Sequence, residues 1–381
     1  MSFFDFETLR VIWWILLGVL LIGFAITDGY DLGVLALLPF VSRTDKERRL
    51  VINSVAPNWE GHQVWFILGG GAIFAAWPFV YAVSFSGFYL AMFLVLAALI
   101  LRPVGFKYRS KKQDPAWRTR WDWALFVGGF VPALVFGVAI GNVLLGIPFR
   151  LDSDLRSFYD GYLWQLFTPF ALLCGLLSVA MIVTHGCAWL SVKIERGVVW
   201  ERARAIGTLS ALLALVLFVV GGFWVAKGNL GYQLVGTVDP LGPSNPLRAQ
   251  AAPMAGAWMA NYGRAPLLMI VPLVGVLGLL LALLGIRRSS AGLAFTGSAL
   301  SAVGIIGSVG ASMFPFILPS SIDAHSSLMV WNASSSERTL GIMLFCTVVF
   351  LPIVLAYTAW ALRVMRGRLT IAELATRPDL Y

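Results

Sequence analysis

The feature that most constrains this chain is where its charge falls. Only 12% of its 381 residues are charged. Lys and Arg fall almost entirely into alternate gaps between long apolar runs. Nine runs are long enough to cross about 30 Å of hydrocarbon as helix. They lie near residues 9–35, 61–79, 81–101, 123–146, 162–186, 205–226, 265–286, 291–317 and 340–362. A mean hydropathy of +0.82 excludes an ordinary soluble domain. The runs are continuously apolar rather than alternating. They predict helices, which satisfy their own backbone in lipid, and not barrel strands. The expected fold is an all-α integral membrane protein with nine transmembrane helices in a single polytopic domain, residues 1–381.

The cations set the orientation. The gap after run one holds Arg43, Lys46, Arg48 and Arg49, and the gap after run three holds seven more between Arg102 and Arg120. The gap after run five holds Lys193, Arg196, Arg202 and Arg204, and the gap after run seven holds Arg287 and Arg288. With Arg363, Arg366, Arg368 and Arg377 in the tail, one side carries 21 and the other seven. By the positive-inside rule the N-terminus faces outward (periplasmic) and the C-terminus faces the cytoplasm. One missed span would scramble the split. The net charge of +9 is therefore loop bias with anionic headgroups as its partner, and it needs no nucleic acid.

The first run is not expected to be a cleaved signal peptide, because Asp5 and Glu7 precede it and it is too long. Cys174, Cys187 and Cys346 are scattered and form no CxxC or CxxCH, which argues against a redox dithiol, a zinc cluster or covalently attached haem. The longest connection, about 227–264, reads as an ordered outer loop or flap. Gly69-Gly70-Gly71 lacks a following Lys and reads as a site of close helix packing rather than a phosphate loop.

Ionisable groups inside a membrane are costly and are functional candidates by default. The first run contains Thr27-Asp28-Gly29-Tyr30-Asp31. Spacing i,i+3 puts both acids on one helix face in the cytoplasmic half. Asp31 stands equally well at the interface, where the helix is ending. Glu60, His62 and Gln63 open the second run, also at the cytoplasmic side. An acid in a first turn is favoured by the helix dipole, so Glu60 reads either as a helix-start acid or as part of an inward polar cluster. Arg102, ending run three on the same side, either neutralises an acid or reaches to the headgroups. Together Asp28, Asp31, Glu60, His62 and Arg102 form a candidate route for protons from the cytoplasm. No catalytic nucleophile and no metal-ligand set is visible.

Only three histidines are present. A haem between spanning helices needs His or Met aimed into a shared plane. His62 and His185 are expected instead to be polar helix-end residues, and His325 falls in the outer loop after run eight. Met313-Phe-Pro-Phe-Ile-Leu-Pro-Ser-Ser321 reads as a shaped loop, with a Ser run near 334–336 to cap the last helix.

Several composite motifs carry a resemblance. They are Phe24-Ala-Ile-Thr-Asp-Gly-Tyr-Asp-Leu-Gly33, Asn53-Ser-Val-Ala-Pro-Asn-Trp-Glu-Gly-His-Gln-Val-Trp65, Phe74-Ala-Ala-Trp-Pro78, Arg102-Pro-Val-Gly-Phe106, Tyr108-Arg-Ser-Lys111 and Met313-Phe-Pro-Phe316. In this order the chain resembles subunit II of the cytochrome bd ubiquinol oxidases, including the cyanide-insensitive quinol oxidases. The resemblance implies two four-helix bundles plus one peripheral helix, in a bacterial inner membrane. It implies a complex that oxidises quinol at the outer face and reduces O2 to water, building proton-motive force without pumping. Haems b558, b595 and d are then ligated mainly by subunit I. This chain supports that subunit and borders a proton route, with a bound quinone and a small single-helix subunit as further expected partners. Asp28 matches the family's helix-one acid and Arg102 its Arg-Pro-Val-Gly. Glu60 stands where the familiar motif has Asp, and His62 where Asn often follows.

The alternative is a proton-coupled secondary transporter using Asp28 and Glu60. Transporters carry interrupted helices in paired halves near the midplane. Here the polar cluster is off-centre and has no counterpart in runs five to nine. The topology is tested by fusing a fluorescent protein to the C-terminus and an alkaline phosphatase to the 227–264 loop. Cytoplasmic fluorescence with active phosphatase outside is expected, and the reverse would overturn the orientation.

Overall fold

The computed structural model describes residues 4–248 and 250–376; Arg377 of the basic tail lies outside them. Helix α1 (Phe6–Val41) is followed by the short α2 (Asp45–Asn53), then α3 (Trp59–Ala76), α4 (Pro78–Gly87) and α5 (Tyr89–Tyr108). The chain continues through α6 (Pro115–Leu145), α7 (Pro169–Lys193), α8 (Val198–Lys227) and the single turn α9 (Ala260–Arg264). It ends with α10 (Ile270–Arg287), α11 (Ala291–Met313), α12 (Glu337–Val364) and α13 (Ile371–Thr376). Among the described residues eight helices are long and apolar enough to span a membrane. The chain is a multi-pass membrane protein.

The remaining apolar run, 61–79, folds as α3. Its first turns carry Glu60, His62 and Gln63, which lowers its hydropathy below that of the other eight. The boundary expected near residue 80 is drawn differently. Trp77 leaves helical geometry and Pro78, whose missing N–H suits a first helical position, starts α4. A second break at Phe88 separates α4 from α5. The ten residues of α4 pack with Leu9, Trp13, Phe149 and Leu318 among the outer loops. Helix α5 then runs on to Tyr108.

Helix α1 is the axis of the fold. It packs against α3, α6, α7 and α11. Further helix pairs are α5 with α6, α7 with α8, α8 with α10, and α10 with α11. By contrast α12 buries only Leu340. Its two ends flank α3: a Cβ at Gly61 would lie 3.6 Å from the Tyr357 hydroxyl, and the Ser335 N–H donates to the Ala76 carbonyl at 2.8 Å.

The outer loops are ordered by three two-stranded antiparallel hairpins. Strand β1 (Phe149–Leu151) pairs with β2 (Ser157–Tyr159), and β3 (Tyr232–Leu234) pairs with β4 (Ala251–Pro253). Strand β5 (Phe316–Leu318) pairs with β6 (Leu328–Met329). The 227–264 connection is thus a structured flap, and Arg10 clamps it. That fully buried guanidinium donates to the Ser334 hydroxyl at 2.7 Å, to the carbonyls of Pro240 (2.5 Å) and Gly242 (3.0 Å), and to the Ser244 hydroxyl at 2.9 Å. Around the short α2, Arg109 bonds Asp122 at 2.5 Å and Asp45 at 2.8 Å, while Arg48 bonds Asp122 at 2.8 Å. Arg118 pairs with Asp45 and Arg202 with Glu47.

Close helix approach occurs elsewhere than at Gly69-Gly70-Gly71. A Cβ at Gly69 or Gly71 would meet nothing within 4 Å. The contact of α1 with α7 runs instead through Gly33 and Gly186. A Cβ at Gly33 would collide with the Ile182 carbonyl oxygen, and one at Gly186 would sit 2.5 Å from the Gly33 carbonyl carbon. Such small residues let two backbones pack in lipid. Gly33→Val is therefore expected to destabilise the protein by about 1–3 kcal/mol or more through overpacking. Gly18→Ala, on the same helix with nothing within 4 Å, should not. Equal thermal unfolding midpoints for the two variants in detergent would contradict this close approach.

Candidate functional site

Two turns of α1 carry the polar core. At positions 28 and 31 both aspartates face inward and are fully buried within the protein. Arg102 reaches them from α5. Its guanidinium grips Asp28 by two bonds, Nη1 to Oδ2 at 2.9 Å and Nη2 to Oδ1 at 2.6 Å, with no exposed surface on either side chain. It neutralises an acid rather than reaching the headgroups. The Trp59 ring lies 5.7 Å from the guanidinium carbon. A bidentate, charge-assisted pair is the geometry that offsets the cost of taking both ions out of water.

One turn on, Asp31 Oδ2 lies 2.7 Å from His62 Nδ1 on α3. The other ring nitrogen, Nε2, lies 3.2 Å from the Tyr30 hydroxyl. Tyr30 stacks flat on Trp189 of α7, with centroids 4.0 Å apart and planes within 14°. His185 completes the group from α7. Its Nε2 faces the Ile26 carbonyl at 2.9 Å and its Nδ1 faces the Ser298 hydroxyl of α11 at 2.8 Å. A carbonyl only accepts, so Nε2 of His185 carries a proton, while the Ser298 hydroxyl lies between Nδ1 and the Phe295 carbonyl at 2.9 Å. Both histidines are buried; His62 stands in the first turn of α3, as the helix-end reading expected, and His185 lies about two turns inside the end of α7. Two buried atoms here, Asp31 Oδ1 and Arg102 Nε, have no hydrogen-bond partner.

Four of the five sequence candidates thus converge: Asp28, Arg102, Asp31 and His62. Glu60 does not join them. It lies in the first turn of α3 on an exposed face of this chain. Sequence reasoning passed over Tyr30 and Ser298. A phenol between two intramembrane acids was the available signal for Tyr30; for Ser298 there was none.

The arrangement also bears on haem. Both ring nitrogens of His62 and of His185 are engaged by protein groups, and His325 sits exposed in a turn of the outer loops. Neither buried imidazole offers a nitrogen to an iron. The cluster instead suits holding and passing protons, since carboxylate, imidazole and phenol all exchange them along short hydrogen bonds.

Comparison with known proteins gives a consistent picture. Residues 9–365 match the family model of cytochrome bd terminal oxidase subunit II. The chain is 50% identical over 366 residues to cytochrome bd-I ubiquinol oxidase subunit 2 of Escherichia coli strain K12, covering 96% of each chain. It is 50% identical over 365 residues to a probable cytochrome oxidase subunit 2 of Haemophilus influenzae, again covering 96% of each. To cytochrome bd ubiquinol oxidase subunit 2 of Bacillus subtilis it is 29% identical, covering 96% of this chain and 98% of that one. A chain in the structure of the bd oxidase from Geobacillus thermodenitrificans shares the fold with a TM-score of 0.69 at 15% identity, over 94% of this chain and 98% of that one.

The buried pair makes a sharp stability prediction. Arg102→Leu leaves Asp28 buried and uncompensated and should cost about 3–5 kcal/mol. Adding Asp28→Asn should recover much of that loss. Thermal unfolding of the single and double variants measures it. Additive losses would show that the two groups are not coupled.

Proposed function

From the premise that the chain belongs to the cytochrome bd terminal oxidase subunit II family, we propose how it serves that oxidoreductase complex. It is the subunit that ligates no haem, supports the haem-bearing subunit I, and conducts cytoplasmic protons towards the site of O2 reduction. The complex oxidises quinol, reduces O2 to water and builds proton-motive force because the protons for water are drawn from the cytoplasmic side. Haems b558, b595 and d belong to subunit I in this reading, which agrees with the saturated nitrogens of His62 and His185. A bound quinone, a small single-helix partner and residence in a bacterial inner membrane are part of the same proposal and rest on the family resemblance.

The observation that carries the proton reading is the pairing of Asp28 with Arg102 and of Asp31 with His62 at adjacent levels of one helix, fully out of solvent. Paired charges of this kind in lipid stand for a pathway more often than for stability, because apolar residues would hold the helices together at less cost. Glu60 extends the path outward. It opens the helix that bears His62, and its exposed face is free for subunit I or for water. The one-sided cluster in a member of this family favours the oxidase over the transporter.

The helix contacts support nine spans, with α3 as the ninth. Two four-helix bundles with α12 peripheral rest on the family resemblance and, for α12, on its one buried residue, Leu340.

The test is made on the complex purified in mild detergent through a tag on this chain, reading a reduced-minus-oxidised spectrum and quinol-driven O2 uptake together. Haem b and d bands with oxidase activity are expected; a colourless, inactive preparation of an intact complex would overturn the assignment. Glu60→Gln should slow turnover by about tenfold or more, a barrier increase of about 1.4 kcal/mol, with the haem bands unchanged. Wild-type turnover in that variant would reduce Glu60 to a helix-start acid.

A further inference from the structure

The polar core has a charge balance that its partners do not close. Asp28 and Arg102 cancel one another through two hydrogen bonds. Asp31 is left, fully buried, and the titratable group bonded to it is His62. With a neutral imidazole the core would carry one uncompensated negative charge in a low-dielectric interior, the most costly state open to it. With one additional proton the core is neutral.

The other titratable or charged groups around it do not supply that compensation. From α1 they are Asp28 and Tyr30, from α5 Arg102, already committed to Asp28, and from α7 His185 and Cys187. The His185 ring lies 5.9 Å from Tyr30 and is bonded to a carbonyl and a serine. Cys187 is buried in the same packed core as Tyr30. Glu60 of α3 lies outside on the exposed face.

We infer that Asp31 and His62 hold one exchangeable proton between them, and that Tyr30 is the positioning residue that allows His62 to take it up and give it away. This deepens the proton-route reading and rests on it. In the loaded state Nδ1–H of His62 donates to Asp31 Oδ2 and Nε2–H donates to the Tyr30 oxygen. Transfer of the Nδ1 proton across the 2.7 Å bond puts the same proton on Asp31 as a neutral acid. On release, Nε2 loses its proton and the Tyr30 O–H turns to donate to it. A hydroxyl both donates and accepts, so neither state leaves a ring nitrogen unsatisfied. Stacking of Tyr30 on Trp189 holds the phenol in place for both roles. The neutral acid carries that proton on Oδ2, from which it donates back to His62 Nδ1. The proton belongs to the pair and not to either residue.

The experiment is infrared difference spectroscopy of the whole complex across a pH titration, with turnover measured on the same samples and the haem spectrum confirming assembly. The variants are Asp31→Asn, His62→Gln and Tyr30→Phe, all close to the parent in size. One protonation change present in the parent should be lost in Asp31→Asn. In His62→Gln it should be replaced by the C=O stretch of a protonated carboxylic acid, since the proton then has only Asp31 to occupy. In Tyr30→Phe its midpoint should shift. A titration unaltered in all three variants overturns the shared proton, and slowed turnover alongside it leaves the proton-route reading standing. Loss of the titration in Asp31→Asn at parental turnover keeps the shared proton and overturns the route.

Discussion

A carboxylate and a guanidinium that leave water together set the terms for this molecule. Asp28 and Arg102 come from helices 74 residues apart in sequence, and neither is tolerable at that depth without the other. Their pairing fixes the rotation of α1 and α5 about their own axes and holds both helices to a common level. Lipid gives no hydrophobic drive for one helix to choose another, so such bonds and close backbone contacts must do the choosing. Helix α1 is held in this way at three depths. Near the helix start Arg10 clamps the 227–264 flap, further along Asp28 meets Arg102, and at the C-terminal end of the helix the Val41 carbonyl accepts from Arg202. Between these fixtures Gly33 brings α7 against α1. The element that bears the polar core is thereby the most constrained in the fold. Groups that pass protons need that constraint, because transfer depends on donor and acceptor staying within hydrogen-bond distance.

The spanning helices were legible because the bilayer permits so few alternatives. A continuous apolar run has to be a helix, and its loops reveal which side they occupy. The same logic fails where hydropathy is uniform. From α3 to α5 the residues stay apolar through Trp77 and Phe88, and composition has no way to register a ten-residue outer helix between two breaks. Pro78 was the local signal, since it suits a helix start better than a helix middle. The glycine triplet misled for a related reason. Small residues allow close packing, but whether another helix meets that face is a tertiary fact, and at Gly69 and Gly71 this chain brings nothing near.

The candidate site was legible in its acids and opaque in its bonds. Spacing along one helix predicted that Asp28 and Asp31 share a face, and it said nothing of which partner each would take. Ser298 lies 113 residues from His185, and Asp31 lies 31 from His62, so no local pattern connects them. Glu60 shows the converse. It stands two residues from His62, and two residues along a helix is slightly more than half a turn, which sends its side chain to the opposite face. The cations that the charge count assigns to the cytoplasmic side carry a further lesson. Arg48, Arg109, Arg118 and Arg202 count towards the positive-inside bias, yet each is engaged by an acid across the loops. The charges counted for orientation also tie α2, α6 and α8 to one another in the finished fold.

The histidines bring these strands together. In a subunit that ligated haem, a buried imidazole would keep a nitrogen for the metal, with its second nitrogen oriented by a protein group. Here every nitrogen of His62 and His185 meets oxygen from this chain, and the oxygens differ in kind. His185 lies between the Ile26 carbonyl and the Ser298 hydroxyl, with no carboxylate bonded to it. His62 lies between a carboxylate, which favours the imidazolium, and a phenol, which accommodates either charge state. Two imidazoles of the same buried core, with their rings both near Tyr30, are thus given opposite tasks by their neighbours. His185 joins α1, α7 and α11 as a fixed strut, while His62 keeps the one bond in this core whose proton has somewhere to go.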